Sequence, residues 1–189
     1  MNMSNYLKEN HIVLASGSPR RIQMLKDDNV DFEIIKPSCE ENINLSLTPR
    51  QTVMALALRK ALDIGEQDAL IISCDTVVVF DDEVIGKPKD ENDAFTILSK
   101  LRGKTHEVIS GVCLLDRAKG IFKLFTDTTK VFFKDYTDAE IWDYIHTGEP
   151  MDKAGAYAIQ GGFAKYIDHI EGDYDNIVGF PYQLIKTEL

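Results

Sequence analysis

The sequence predicts an α/β fold, because segments with strand character alternate with segments of helical period. The run ALIISCDTVVVF (69–80) is largely apolar and rich in β-branched residues, as in a strand covered on both faces. The stretch TPRQTVMALALRKALDIG (48–65) spaces its apolar residues as an amphipathic helix does. No repeat or Pro/Ser-rich linker interrupts the 189 residues, so we expect one domain over 1–189, with or without two lobes.

The elements of the first half follow from local signals. The segments before residue 40 predict a strand, a short helix and a strand at HIVLAS (11–16), IQMLKDD (22–28) and VDFEIIKPS (30–38). In the helix that follows, Thr48 is a candidate N-cap, Pro49 suits the first helical position and Gln51 completes a capping box. The apolar run 69–80 is then the predicted central strand.

The second half is predicted with the same rules. The further segments before residue 150 are a helix, two strands and a helix, at DENDAFTILSKLRG (90–103), HEVISGVCLLD (106–116), FTDTTKVFF (125–133) and TDAEIWDYIHTG (137–148). The last of these begins with a capping box of Thr137 and Glu140. Residues 154–189 predict short strands, glycine turns and a final helix.

Composition excludes several classes of function. The formal net charge of −10 argues against binding long nucleic acids through a general basic face, although a local cluster of cations can still hold a small anion. The three cysteines show no CxxC and no Cys/His zinc spacing, which indicates a reduced, intracellular protein without structural zinc. The N-terminus lacks the apolar core of a signal peptide, and no apolar run could span a membrane. We therefore expect a cytoplasmic protein.

The stretch LASGSPRR (14–21) lies where the first strand should give way to a helix. Ser18 precedes Pro19, which disfavours helical dihedrals at Ser18 and makes it a candidate N-cap. The free N–H groups and the positive end of the helix dipole would then face this turn. A helix start of this kind can bind a phosphate.

The neighbouring side chains strengthen that hypothesis. Ser16 adds a hydroxyl, Gly17 permits close approach of the backbone, and Arg20 and Arg21 add positive charge. The alternative is a capped helix with two solvated arginines. The turn alone does not decide between these interpretations.

Asp75 is the second candidate, because a carboxylate inside a buried strand is costly unless it is paired or bound to a metal. Carboxylates that face a cleft from a strand are typical acid–base groups and metal ligands. The alternative is a strand end at which Asp75 simply reaches solvent.

Weaker signals come from isolated charged and amide side chains. Glu40 and Glu41 are neighbours, so in an extended segment only one of them could face a metal, and taken alone the pair is better interpreted as two solvated carboxylates. Lys87, in a GKP turn, could hold a phosphate, whereas Lys60 is best interpreted from the sequence as a surface lysine. Gln160, before a glycine pair, offers an amide that could read the edge of a base, and the alternative for this segment is a turn-rich packing corner. The missing GxxxxGK[ST] and GxGxxG motifs exclude P-loop hydrolases and Rossmann dehydrogenases.

Taken in order, these motifs resemble one known family. The segments LASGSPRR, EE, CDTVV, GKPKD, SGVCLLD, EPMDKAGAYAIQG and GDYDNIVGFP resemble the Maf family of nucleoside triphosphate pyrophosphatases, from about Ile12 to Pro181. The resemblance implies an elongated, curved mixed sheet with flanking helices and two lobes around a cleft, similar to the inosine triphosphate pyrophosphatases. It also implies hydrolysis of a nucleoside triphosphate to the monophosphate and pyrophosphate, with Mg²⁺ or Mn²⁺, by a cytoplasmic protein that is often a homodimer.

The resemblance assigns roles to individual residues. Asp75 matches the proton acceptor, and the sequence does not separate that role from metal binding. Arg20, Thr76 and Gln160 match the specificity set of the dTTP/UTP branch. The positions that match residues holding triphosphate and metal are Ser16, Arg21, Glu41, Lys60 and Lys87, with Ser18 beside them in the phosphate turn and Glu41 as the metal ligand.

Two alternatives remain at this level. The chain could hydrolyse another nucleotide, such as a methylated GTP or an inosine-type triphosphate, although the branch for methylated GTP carries Glu where this chain has Gln160. It could also be a nucleotide-binding regulator of septum formation. A pure sensor would need the cations but neither Asp75 nor Glu41, so their presence favours the enzyme.

Overall fold

The computed structural model describes residues 6–40, 46–65 and 68–189. The strands are β1 (Ile12–Leu14), β2 (Phe32–Ile34), β3 (Leu70–Phe80), β4 (Glu83–Ile85), β5 (Thr105–Asp116), β6 (Ile121–Phe133) and β7 (Ile167–Glu171). The helices are α1 (Tyr6–Glu9), α2 (Pro19–Asp27), α3 (Pro49–Asp63), α4 (Glu91–Leu101), α5 (Asp138–Ile145), α6 (Tyr174–Val178) and α7 (Tyr182–Glu188).

The strands form a mixed seven-stranded sheet in the order β2-β1-β3-β5-β6-β7, with β4 paired to β3. Strand β1 runs parallel to β2 and β3, whereas β4 is antiparallel to β3 and β7 is antiparallel to β6. This arrangement confirms the predicted α/β class, with β3 as an internal strand.

The chain divides into two compact units. Unit 1 consists of 1–76, 110–127 and 179–189, and unit 2 consists of 77–109 and 128–178. Each unit has its own apolar core among the residues that the structure describes.

In unit 1, local sequence signals start both long helices. Helix α2 begins at Pro19 after Ser18 in an extended conformation. Helix α3 begins with the predicted capping box, in which Thr48 and Gln51 each accept a hydrogen bond from the other's backbone N–H. The capping box of α3 satisfies the Gln51 N–H, one of the groups that the first turn of a helix leaves without partners.

Two contacts place α3 on the sheet. Gly111 of β5 faces the α3 backbone so closely that a Cβ there would lie 2.4 Å from the carbonyl carbon of Val53. One strand away, the buried Ser73 hydroxyl donates a 2.6 Å hydrogen bond to the carbonyl of Ala57. The missing side chain and the hydroxyl together set the separation between this helix and the strands beneath it.

Unit 2 has a largely aromatic core. Phe163 is fully buried, and its ring centroid lies 4.7 Å from those of Tyr144 and Tyr166 and 5.0 Å from that of Tyr136. Helix α5 begins with the predicted capping box of Thr137 and Glu140. Aromatic rings in tilted and edge-to-face contact give such a core more specific geometry than aliphatic packing would.

The structure differs from the sequence prediction in several places. Helices α1 and α6 and strand β4 were not predicted, and short 3-10 turns form at Glu149–Asp152, Ala154–Ala156 and Ala164–Tyr166, whereas short strands were predicted from residue 154 onwards. Strand β4 follows a tight turn at Asp81 and Asp82, both with positive φ, and this pair lacks the glycine that signals such hairpins. Among the described helices, none is long and apolar enough to cross a membrane.

Candidate functional site

The Ser16 side chain stabilises the turn between β1 and α2 through hydrogen bonds. The buried Ser16 hydroxyl accepts hydrogen bonds from the Ser18 N–H at 3.2 Å and from Arg21 Nη1 at 3.1 Å. Ser18 occupies the predicted N-cap position, but its side chain makes no capping hydrogen bond. The first-turn N–H groups of α2 therefore receive no acceptor from the cap side chain.

Arg21 ties three segments of unit 1 together. Its Nε donates to the Gly179 carbonyl at 2.9 Å, and its Nη1 donates to the Cys74 carbonyl at 2.6 Å as well as to Ser16. The interpretation of Arg21 as a solvated arginine is therefore wrong. Its guanidinium is half-buried and held in one orientation, which is typical of a preorganised cation.

Gly179 was not singled out by the sequence analysis. Its φ of 101° lies in a region that residues with side chains rarely adopt. Besides the bond from Arg21, its carbonyl accepts bonds from Thr76 Oγ1 and from the Cys74 thiol, each at 3.4 Å. The available signal was the GFP segment near the C-terminus, but glycine–aromatic–proline segments are common in ordinary turns.

Asp75 and Lys60 form an ion pair within unit 1. Lys60 Nζ lies 2.7 Å from Asp75 Oδ1, and their side chains are only 11% and 14% exposed, respectively. The interpretation of Lys60 as a surface lysine is therefore wrong. The signal was available, because Val53, Leu56 and Ala57 are buried and helical spacing puts residue 60 on the same face.

The carboxylate of Asp75 retains one oxygen for chemistry. No donor within the described parts of the chain reaches Oδ2, whereas Oδ1 accepts the bond from Lys60. A carboxylate oxygen held in this way can accept a proton from water or bind a cation.

The neighbouring Cys74 has no chemical role comparable to that of Asp75. It is fully buried, and burial raises the pKa of its thiol although the Arg21 charge opposes that shift. The thiol therefore stays protonated at neutral pH, which excludes the nucleophilic and metal-binding form of cysteine here.

A polar cavity of about 220 Å³ lies beside these groups, with three cationic side chains in its wall. Its lining residues are Ala15, Ser16, Gly17, Arg21, Lys36, Pro37, Cys39 and Lys60. Lys36 was not predicted as a site residue. Its aliphatic chain crosses the face of Gly17, where a Cβ would lie 2.8 Å from Lys36 Cε. Gly17 thus provides the space that this lysine occupies at the cavity wall.

The remaining predicted site residues are distributed over both units. Arg20 is exposed on α2, and Thr76 Oγ1 lies 2.8 Å from Ser110 Oγ in unit 1. Lys87 and Gln160 are exposed in unit 2. Glu41 lies outside the described residues. The structure therefore brings Ser16, Arg21, Lys60 and Asp75 together with the helix start at Ser18, and leaves the predicted roles untested.

Comparison with known proteins identifies the family. The family model described as Maf-like protein matches residues 11–189. The chain belongs to the Maf family. The dTTP/UTP pyrophosphatase of Dictyoglomus turgidum is 48% identical over 181 residues, which cover 94% of each chain. That of Bdellovibrio bacteriovorus is 44% identical over 185 residues, covering 94% of this chain and 96% of the relative. The predicted family is confirmed.

One solved structure aligns with this Maf chain over most of its length. The HAM1 protein from Coxiella burnetii gives a TM-score of 0.48 at 13% identity, covering 95% of this chain and 99% of the other. A similarity of this size carries no argument about function.

The donor set of unit 1 fits a magnesium-type cation, though not a dedicated metal cage. Within residues 6–40, 46–65 and 68–189, no group of three or more His, Cys, Asp or Glu side chains could hold a metal ion. Mg²⁺ keeps several waters and takes one or two carboxylates together with substrate phosphates. Asp75, with Oδ2 available and cations beside it for the phosphates, meets that requirement.

Proposed function

We propose that this protein hydrolyses dTTP and UTP to the nucleoside monophosphate and pyrophosphate. The observation that carries the proposal is the Lys60–Asp75 pair beside a small cavity with three cations in its wall. The relatives named dTTP/UTP pyrophosphatase, 44% and 48% identical over 94% of this chain, support the choice of substrate.

The triphosphate is assigned to the β1–α2 turn. Arg21 and Lys36 supply charge at the cavity wall, Ser16 and Ser18 lie in the turn, and exposed Arg20 follows on α2. The start of α2 adds N–H groups and the positive end of the helix dipole. Such preorganised cations favour the charge that develops on a leaving pyrophosphate.

Asp75 is assigned the proton transfer. Its carboxylate accepts a proton from the water whose oxygen attacks the α-phosphorus, and the bond from that phosphorus to the bridging oxygen breaks. Pyrophosphate leaves with the electron pair of that bond, and the monophosphate retains the water's oxygen. Lys60, bonded at 2.7 Å to Oδ1, fixes the orientation of the carboxylate.

A divalent cation, Mg²⁺ or Mn²⁺, is part of the proposal. Asp75 and, by the family resemblance, Glu41 would hold it, and when bound it would neutralise charge on the phosphate oxygens. The protein's own cations at Arg21 and Lys36 meet the remaining phosphate charge.

Recognition of the base is assigned to Gln160, with Arg20 and Thr76. The amide of Gln160 is exposed and offers both a donor and an acceptor, which matches the mixed edge of uracil or thymine. Lys87, exposed in unit 2, is assigned to the phosphates. The homodimer and the cytoplasmic location that the resemblance implies stay predictions, and sedimentation at several protein concentrations tests the first.

The test is a substrate panel with product analysis. Purified protein is incubated with Mg²⁺ and dTTP, UTP, CTP, GTP, ITP or 7-methyl-GTP, and pyrophosphate is separated from orthophosphate. Pyrophosphate formed fastest from dTTP and UTP is the expected result. Preference for 7-methyl-GTP or ITP would move the protein to another substrate branch. Tight nucleotide binding without turnover would instead indicate a regulator and overturn the catalytic role of Asp75.

A further inference from the structure

Gln160 is the exposed apex of a tight turn in unit 2, here called the Gln160 turn (158–162). The N–H of Gly161 donates to the carbonyl of Ala158 at 3.1 Å, and the carbonyl of Gly161 accepts from the N–H of Ala164 at 3.1 Å. The turn contains two successive glycines, the residues with the greatest backbone freedom. Contacts with other residues must therefore hold the backbone of this turn in one conformation.

The side chain of Glu149 supplies that restraint. Its Oε2 accepts a 2.9 Å hydrogen bond from the N–H of Gly162. Its Oε1 stands 1.4 Å from the place where a Cβ of residue 161 would be. The carboxylate thus fills the space that the missing side chain of Gly161 leaves, and bonds to the next residue.

The backbone of Glu149 is itself held in place. Glu149 follows Gly148, whose φ is 77°, and its own N–H donates to Thr147 Oγ1 at 3.2 Å. On the other side of the turn, Phe163 is buried in the aromatic core. Glu149 therefore connects the segment after Gly148 to the Gln160 turn, and each is held in place by its own contacts. Gln160 is the exposed residue of the turn.

We propose that Glu149 is a positioning residue that sets the orientation of Gln160 and so determines discrimination between nucleotide bases. The inference rests on the proposed function and deepens it. A hydrogen bond to a carboxylate is stronger than one between neutral groups, so one side chain can order a short glycine turn. Loss of the restraint should leave the phosphate-binding groups and Asp75 of unit 1 unchanged, because Glu149 belongs to unit 2 and is not among the residues that line the unit 1 cavity.

The decisive variant is Glu149→Ala, compared with wild type on dTTP, UTP, CTP and GTP. We expect the ratio of kcat/KM for dTTP over GTP to fall about tenfold, since a lost charge-assisted hydrogen bond is worth roughly that factor. The loss should appear mainly in KM for dTTP and UTP. Glu149→Gln keeps an oxygen that can accept the Gly162 N–H but lacks the charge, so its ratio should lie between those of the wild type and Glu149→Ala.

The matched control is Glu140→Ala. Glu140 also accepts a backbone N–H in unit 2, that of Thr137 at 2.8 Å, but as the cap of α5. We expect this variant to lower the melting temperature and leave the substrate ratio unchanged. If both variants changed the ratio equally, Glu149 would have only a structural role and the proposal would be overturned.

Two further measurements make the test independent of turnover. Amide exchange at Gly162 should be faster in Glu149→Ala, since the N–H loses its acceptor. Gly161→Ala should displace the Glu149 carboxylate and also speed amide exchange at Gly162. The double variant Gly161→Ala/Glu149→Ala should exchange little faster than either single variant, because both substitutions disrupt the same contact. A folded Glu149→Ala protein with the wild-type substrate ratio overturns the inference, whereas a wild-type protein that fails to hydrolyse dTTP and UTP overturns the proposed function itself.

Discussion

The two units hold their candidate site groups in different ways. In unit 1, Arg21 makes three hydrogen bonds and Lys60 is paired with Asp75, so each charged group is held by partners that are themselves buried or bonded. In unit 2, the Gln160 turn is held from the side by one carboxylate, that of Glu149. We conclude that changes at Arg21, Lys60 or Asp75 of unit 1 should affect every nucleotide alike, whereas changes at the Gln160 turn should alter the ranking of nucleotides.

The largest expected effect is that of Asp75→Asn. An amide cannot accept the proton, so turnover of dTTP and UTP should fall on the order of a thousandfold with little change in their ratio. Initial rates of pyrophosphate release measure this loss. Asp27→Asn is the control, because Asp27 is an exposed carboxylate of unit 1 whose partner is Gln23, and it should keep wild-type rates. Near-normal rates in Asp75→Asn would refute the assigned role.

Replacing Lys60, the partner of Asp75 in the ion pair, should also lower the stability of the folded protein. Lys60→Met keeps the aliphatic volume but leaves a largely buried carboxylate without the ammonium bonded at 2.7 Å. We expect the free energy of unfolding to fall by roughly 2–3 kcal/mol, measured by urea denaturation. The double variant Lys60→Met/Asp75→Asn should regain much of that stability without regaining activity. Equal stability of wild type and Lys60→Met would show that the pair contributes little.

Acid should weaken unit 2 through His106. Burial lowers the pKa of His106 to about 3, and its Nε2 lies 2.7 Å from the hydroxyl of Tyr157 in the aromatic core. Because the ordinary value is near 6.5, the unfolded chain binds more protons between these values, and stability falls as the pH drops below about 6.5. At pH 5 the loss relative to pH 7.5 should be about 2 kcal/mol.

The His106→Gln variant isolates this contribution. It keeps hydrogen-bonding capacity beside Tyr157 but does not titrate, so its stability should depend less on pH than that of the wild type. Urea denaturation at pH 5 and pH 7.5 gives the difference. If both proteins lost the same stability on acidification, His106 would not be the titrating group.

The smallest expected effect is that of Lys36→Ala. Lys36 lines the cavity as an exposed cation, so its loss should raise KM about fivefold for every nucleotide with kcat unchanged. The difference should shrink at high salt, which screens exposed charges. Lys26→Ala, at an exposed lysine near the end of α2, is the control. A change in nucleotide ranking in Lys36→Ala would contradict the assignment of Lys36 to the phosphates.

The features that could be predicted from sequence are those that depend on neighbours in the chain. Both capping boxes, the start of α2 at Pro19 and the internal strand β3 follow from short motifs. The restraint on Arg21 could not be predicted, because its partner Gly179 is 158 residues away. Lys60 was misplaced since a lysine on an apolar helix face is normally expected to extend to solvent, and its actual partner comes from a neighbouring strand.

The close approach of α3 at Gly111 has a consequence for protein engineering. Strand propensity scales would recommend valine or isoleucine in place of a glycine inside β5. Here any side chain would meet the backbone at Val53 and push away the helix that carries Lys60. A stabilisation programme that treats this position as ordinary sheet interior would therefore disturb the ammonium that faces Asp75, and the glycine should be kept fixed together with the site residues.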